Sequence, residues 1–126
     1  MDAALPLRVL VVDDEPLIRW SVRQALTCRG HSVAEASCGA DAVTLLGQAP
    51  DRFDVVILDY RLPDSRDLAL LDEIRRLAPT SAVVMMTAFA EERVKKEAVD
   101  RGALAFLGKP FKVHALVSLV ESTVRR

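Results

Sequence analysis

The chain has 126 residues, of which 51% are hydrophobic and 28% are charged, so it suits one domain with a real core rather than a disordered segment. Its formal net charge is −1, and this balance argues against direct nucleic-acid binding, which usually requires a strongly basic face. We expect neither a secretory signal peptide nor a membrane span, because no apolar run approaches the about 18 residues that a span needs.

Five short apolar runs predict five β-strands. They are residues 7–12, 31–36, 53–59, 81–87 and 104–109. The first, third and fourth runs are almost entirely aliphatic or β-branched, which is typical of parallel strands that are buried on both faces.

Helical patterns lie between and after these runs. The predicted helices are residues 15–29, 40–47, 67–77, 91–101 and 112–124. The apolar stripe of the first helix is formed by Ile18, Val22, Ala25 and Leu26, and Gly30 is a plausible stop. Strand and helix alternate five times without a linker or repeat, which predicts one α/β domain over residues 1–126.

Polar residues follow four of the predicted strands. Asp13 and Asp14 come after the first strand, Asp59 ends the third, Thr87 ends the fourth and Lys109 ends the fifth. Taken singly, each has an ordinary explanation as a helix cap, a turn residue or a solvated lysine. Ligands of open parallel sheets bind beyond the carboxyl ends of the strands, so neighbouring strands would bring all five groups to one rim.

The chemistry of this set is that of metal-assisted phosphoryl transfer. Clustered carboxylates repel one another unless a divalent cation relieves the repulsion, and Mg²⁺ prefers oxygen ligands. One carboxylate can attack phosphorus and form an aspartyl phosphate. The ammonium of Lys109 and the hydroxyl of Thr87 could then stabilise the charge on the phosphoryl oxygens, and Pro110 would fix the backbone beside that lysine.

The motifs VLVVDDEP, DYRLPD, TAFA and GALAFLGKPF resemble, in order and separation, those of the receiver domain of two-component response regulators. The resemblance covers essentially the whole chain. It implies a doubly wound, flavodoxin-like fold with five flanking helices and a five-stranded parallel sheet of order 2-1-3-4-5, an order already known for receiver proteins.

The resemblance also implies a role for each site residue. Asp59 is the phosphoacceptor, and it shares a Mg²⁺ ion with Asp13, Asp14 and the backbone carbonyl of Arg61. Glu15 is expected to begin the first helix.

Three further residues match the family's signalling positions. Lys109 binds the phosphoryl group, Thr87 is the switch hydroxyl and Phe106 is the rotating aromatic residue. One departure is Asp67, which stands where family members usually carry glycine, so the shape of that loop is in question.

The implied partner is a sensor histidine kinase. EPLIRWSVRQAL and GALAFLGKPF are most similar to receivers of nitrogen-regulatory-type enhancer-binding activators, which implies a transcriptional output or DNA-binding domain in the full-length chain. Cys28 and Cys38 lack metal-ligand spacing and favour a reducing, cytoplasmic location. The resemblance implies no enzyme activity other than the domain's own phosphorylation and dephosphorylation.

Two surfaces are candidates for protein contacts. Trp20 projects away from the apolar stripe of its helix, so it is either a partly shielded surface residue or a contact for a kinase or an adjoining domain. In the last helix Val113, Val117, Val120 and Val124 form the predicted core stripe. Ala115 and Leu119 fall to one side of it, which predicts a homodimer or domain contact strengthened by phosphorylation.

Other functions fit the sequence less well. An aspartyl-phosphate phosphohydrolase generally needs a second aspartate two residues after its nucleophile, where this chain has Arg61. A flavin or nucleotide binder would need a glycine-rich phosphate loop, and DDEPL contains no glycine. Two alternatives lie within the family: a stand-alone phosphorelay receiver and a degenerate receiver that serves only for interactions. The complete set of acceptor-site residues argues against the second.

Overall fold

The computed structural model describes residues 6–49, 51–65, 68–88 and 92–123. Within these residues the strands are β1 (Arg8–Val12), β2 (Ser32–Ala36), β3 (Val55–Asp59), β4 (Ala82–Thr87) and β5 (Ala105–Gly108). The helices are α1 (Pro16–Cys28), α2 (Gly39–Gln48), α3 (Ala69–Leu77), α4 (Glu92–Asp100) and α5 (Val113–Ser122). The predicted alternation of strand and helix is confirmed.

The ends of the elements lie within two residues of the predicted ends. Glu15, predicted to begin the first helix, is instead its extended cap residue with φ −92° and ψ 111°, and Pro16 is the first helical residue. Gly30 does end the turn after α1, with a φ of +93° that favours glycine. The predicted starts of the third and fourth helices, residues 67 and 91, lie outside the described residues.

All strands are parallel, and their order in the sheet is β2-β1-β3-β4-β5. The predicted fold class is therefore confirmed. The chain steps outward from β1 to β2 and then returns to place β3 on the other side of β1. The topological switch point therefore lies between the carboxyl ends of β1 and β3, which are followed or ended by Asp13 and Asp59.

Each face of the sheet carries its own hydrophobic cluster. The first cluster contains Leu10, Val56 and Leu58 of the sheet and packs against helices α2, α3 and α4. The second contains the alternate strand residues, such as Val9 and Ile57, and packs against α1 and α5. Successive strand residues point to opposite faces, so strands covered on both sides must be apolar throughout. This explains the uninterrupted apolar runs.

Helix α5 buries a wider sector than the sequence predicted. Its fully or largely buried residues are Leu116, Val117 and Val120. Leu119 was placed to one side of the core stripe, yet it is half-buried and packs against the second cluster, so the core accounts for part of its apolar surface. Helix α5 packs against α1 as well as against the sheet. Ala115 is exposed as predicted, and Val124 lies outside the described residues.

The exposed face of α1 carries two large apolar side chains. Trp20 is 60% exposed and Leu17 is 78% exposed. The predicted projection of Trp20 away from the apolar stripe is confirmed. In the part of the chain that the structure describes, no helix has the length and apolar character required to cross a membrane.

Candidate functional site

The pairing of neighbouring strands continues to the carboxyl edge of the sheet. The backbone N–H of Lys109 donates to the carbonyl of Thr87 at 2.6 Å, and that of Asp13 donates to the carbonyl of Ala36 at 3.1 Å. Asp59 is the last residue of β3 and is paired with Met86 of β4. The sheet itself therefore sets the spacing between these strand-end groups.

Three aspartates form the acidic cluster, by which we mean Asp13, Asp14 and Asp59. One carboxylate oxygen from each lies within 4.8 Å of the other two. Asp13 and Asp59 are buried, whereas Asp14 is exposed. An opening of about 260 Å³ beside them is lined by Asp14, Glu15, Asp59, Arg61, Ala88 and Lys109. Three carboxylates grouped beside this opening, two of which line it, are a set of hard oxygen donors that fits Mg²⁺.

The ammonium of Lys109 contacts this cluster. Its Nζ donates to Asp13 Oδ2 at 2.9 Å, to Glu15 Oε1 at 3.0 Å and to Asp59 Oδ2 at 3.3 Å. Burial lowers the pKa of Lys109, but the hydrogen bonds to Asp13 and Glu15 and the charge on Asp59 outweigh it, so the pKa is raised. The Lys109–Pro110 peptide bond is cis.

Asp59 is held by two long hydrogen bonds. Its Oδ1 accepts from the backbone N–H of Arg61 at 3.3 Å, and its contact to Lys109 is equally long. Burial and then the charge on Asp13 raise the pKa of Asp59 to about 6, against the opposing effect of Lys109. The ionised cluster therefore holds more negative charge than one lysine balances, and a cation there would lower its energy.

The predicted switch residues lie on β4, which is beside the acceptor strand β3, and on β5, which is beyond β4. Thr87 is 1% exposed at the end of β4. Phe106 lies opposite Met85 in the adjoining strand β5, where it is half-buried and packs against the first core cluster. By contrast, Trp20, Ala115 and Leu119 lie on α1 and α5 and do not line the opening.

Two contacts at the site were missed from the sequence. Glu15 was assigned only to the start of a helix, yet its carboxylate is bonded to Lys109. Arg19 Nη1 donates to the backbone carbonyl of Asp13 at 2.6 Å and so fixes the loop after β1. The signal for Glu15 was the excess of acids over lysines near the strand ends, whereas nothing in the spacing indicated Arg19. Asp67 lies outside the described residues.

Comparison with known proteins agrees with this geometry. Residues 9–121 match the model of the response regulator receiver domain family. The transcriptional regulatory protein PdtaR of Mycobacterium tuberculosis is 38% identical over 128 residues, which cover 99% of this chain and 60% of PdtaR. The chain thus spans well under two thirds of that relative.

Solved structures show the same fold. NtrX from Brucella abortus superposes with a TM-score of 0.85 and 34% identity, over 96% of this chain and 27% of NtrX. A response regulator from Burkholderia pseudomallei superposes with a TM-score of 0.82 and 28% identity, over 94% of this chain and 71% of that protein. The latter was crystallised with a phosphorylated aspartic acid, a calcium ion and citrate.

Proposed function

This chain belongs to the receiver domain family of two-component response regulators, and we propose on that premise that Asp59 accepts a phosphoryl group from a sensor histidine kinase. The observation that carries the proposal is the grouping of Asp59 with two further acids and Lys109 at the switch point of the sheet. The phosphorylated aspartic acid and calcium ion of the Burkholderia relative support it.

The proposed reaction uses Asp59 as a nucleophile. One of its carboxylate oxygens attacks the phosphorus of a phosphohistidine, the P–N bond breaks, and the imidazole leaves with the electron pair. The product is an aspartyl phosphate on this chain and an unmodified histidine on the kinase. The domain catalyses only this transfer and the later hydrolysis of its own acyl phosphate.

The residues around Asp59 have separate roles in this proposal. Asp13, Asp14, Asp59 and the backbone carbonyl of Arg61 hold Mg²⁺, which when bound offsets the carboxylate repulsion and neutralises phosphoryl charge. Lys109 shifts its hydrogen bonds from the acids to a phosphoryl oxygen, because its Nζ already lies 3.3 Å from Asp59 Oδ2.

Output follows from a change in packing between β4 and β5. The hydroxyl of Thr87 donates to the phosphoryl group, and Phe106 turns into the space that Thr87 leaves. The phosphoryl group changes the output only because it binds more favourably in this packing than in the packing of the unphosphorylated domain. The output is transcriptional, in keeping with the name of PdtaR, and the altered face includes Ala115 and the exposed part of Leu119 as a contact for a second copy.

The test is phosphorylation by acetyl phosphate, read by mass spectrometry of the intact protein. We expect one phosphoryl group on the wild type in Mg²⁺, none in the presence of a chelator, and none on Asp59→Asn. The matched control is Asp41→Asn, which replaces an exposed acid of α2 and is expected to be phosphorylated like the wild type. A phosphoryl group retained by Asp59→Asn would overturn the assignment.

A further inference from the structure

The carboxylate of Asp64 caps a helix to which it does not belong. Its Oδ1 accepts from the backbone N–H of Gly39 at 2.8 Å, and its Oδ2 accepts from that of Ala40 at 2.9 Å. These are the first two residues of α2, whose own cap residue, Cys38, makes no side-chain hydrogen bond to the helix. Asp64 thus supplies from a distant loop the acceptor that a helix N-terminus needs.

The loop that carries Asp64 follows the acceptor strand and is closed on itself. The backbone groups of Leu62 and Ser65 bond to each other in both directions, at 2.8 and 3.2 Å. Leu62 is 2% exposed and belongs to the first core cluster, and Pro63 stands between it and Asp64. The turn is therefore one hydrogen-bonded unit. Leu62 anchors it in the first core cluster, and Asp64 bonds it to the start of α2.

The start of α2 is shaped to receive this carboxylate. A Cβ atom added at Gly39 would lie 3.2 Å from Asp64 Oδ1 and 3.0 Å from the Cδ2 atom of Leu70. A glycine at this position lets the loop approach the helix end closely. The two backbone hydrogen bonds lower the pKa of Asp64, so its carboxylate is charged when it caps the positive end of the helix.

Arg61 connects this turn to the acidic cluster. Arg61 directly precedes the buried Leu62 and lines the opening beside Asp59. Its backbone N–H donates to Asp59 Oδ1. Any shift of the turn must therefore move the peptide groups of Arg61 relative to the three aspartates. Among the described contacts, the tip of the turn is bonded to α2 by the two hydrogen bonds of Asp64, which is itself exposed.

We propose that Asp64 is a positioning residue for the metal site: by clamping the turn to α2, it holds the backbone carbonyl of Arg61 towards the acidic cluster. The inference rests on the proposed Mg²⁺ site and deepens it. Asp64 touches neither the metal nor the phosphoryl group, and it acts through the loop alone. Loss of such outer partners typically weakens metal binding by about tenfold or more.

The test separates positioning from mere stabilisation of α2. The Mg²⁺ dissociation constant is measured by calorimetric titration of the unphosphorylated protein, with thermal unfolding measured in parallel. We expect Asp64→Ala to bind Mg²⁺ about tenfold more weakly than the wild type. In the double variant Cys38→Ser with Asp64→Ala, a serine caps α2 from its own chain position, so stability should return while Mg²⁺ affinity stays weak.

A control variant weakens α2 without touching the turn. Thr44→Gly places glycine at an exposed position in the middle of α2 and should lower the melting temperature while leaving Mg²⁺ affinity unchanged. If Asp64→Ala does not fold, Asp64→Asn keeps one acceptor oxygen and should show a smaller, measurable loss of affinity.

The outcomes are distinct for the two proposals. Equal Mg²⁺ affinity in the wild type and in Asp64→Ala or Asp64→Asn, or full recovery of affinity with the Cys38→Ser cap, would overturn the positioning role alone. A wild type that binds no Mg²⁺ would overturn the proposed metal site, and the positioning role with it.

Discussion

The two ends of the sheet both carry charged clusters, but their charges are balanced differently. At the carboxyl end, Asp13, Asp14, Asp59 and Glu15 surround one lysine. At the amino end lies a network that we call the amino-end network, formed by Leu7, Arg29, His31 and Glu121. The first cluster has an excess of negative charge, whereas the second pairs one acid with one arginine and a histidine.

The polar groups of the amino-end network hydrogen-bond to one another. The side chain of His31 is 1% exposed, accepts at Nδ1 from the backbone N–H of Leu7 at 2.9 Å, and faces Glu121 Oε2 with Nε2 at 2.8 Å. Because Nδ1 accepts, Nε2 carries the proton that it donates. Arg29 adds two hydrogen bonds to Glu121, at 2.6 and 2.8 Å.

The difference in charge balance shifts the pKa values of Glu121 and Asp59 in opposite directions. The hydrogen bond from Arg29, and then that from His31, lower the pKa of Glu121 to about 2 against the cost of burial. Burial and the charge on Asp13 instead raise the pKa of Asp59 to about 6. A balanced network stabilises the fold by itself, whereas an unbalanced one costs stability and favours a bound cation. The comparison can be tested by removing members of each.

The largest effect is expected from Glu121→Ala. The change leaves the buried Nε2–H of His31 without its acceptor and removes the partner of Arg29, so it should lower the free energy of unfolding by about 3 kcal/mol. Urea unfolding at pH 7 measures it. Glu73→Ala, which breaks a 3.8 Å surface pair with Arg76, is the control and should change stability by under about 0.5 kcal/mol.

The same network predicts the acid side of the stability profile. The folded pKa of Glu121, about 2, lies below its ordinary value of 4.5, so its contribution is present above pH 4.5 and is lost as the pH falls towards 2. Glu121→Ala should therefore show a shallower loss of stability across this interval. Parallel acid titrations of the two proteins that keep a constant gap in stability would contradict this assignment.

At the carboxyl end, the change of stability with pH is expected to have the opposite sign. The pKa of Asp59 is raised from 3.8 to about 6 by folding, so the folded state binds the proton more tightly and this residue costs stability as the pH rises through 6. Asp59→Asn should raise the unfolding free energy of the metal-free protein by about 2 kcal/mol at pH 7.5. Below about pH 4 the gain should vanish, since the carboxyl group is then protonated in both states. A destabilised Asp59→Asn would mean that the cluster is balanced after all.

Bound Mg²⁺ should offset the excess negative charge at the carboxyl end of the sheet and so remove its cost in stability. With Mg²⁺ at about five times its dissociation constant, the wild type should gain about 1 kcal/mol in unfolding free energy, and a chelator should reverse the gain. Asp14→Ala removes one exposed acid of the cluster, so its metal-free form should be more stable than the wild type. It should gain almost nothing from Mg²⁺, and a large gain in that variant would contradict the ligand set.

The smallest stability effect is expected at Trp20, which belongs to neither charged cluster. Because its side chain is 60% exposed, Trp20→Ala should change the free energy of unfolding by under about 0.5 kcal/mol. If the exposed face of α1 contacts a kinase, phosphotransfer should slow in Trp20→Ala and not in Gln24→Ala, a polar residue one helical turn further along. Equal transfer rates would leave Trp20 as an ordinary surface residue.

Much of the carboxyl-end site could be predicted from the sequence. Apolar runs that are buried on both faces predict parallel strands, and the residues that end those strands must then lie on one edge. Asp13, Asp59 and Lys109 follow directly from this rule, because the position of each depends on a single strand end. Sequence spacing alone therefore indicated an acidic cluster with one lysine.

The amino-end network and the clamp at Asp64 could not be predicted in this way. Glu121 and His31 are 90 residues apart, and Asp64 and Gly39 are 25 apart, so neither pair shares a strand end or a helix face. The half-burial of Leu119 likewise depends on how α5 packs against the second cluster. The sequence by itself determined the elements, the sheet edge and the acids on it, since these follow from local periodicity. The tertiary structure alone decided which distant charges are matched, because pairing depends on how the helices pack around the sheet and not on the order of residues.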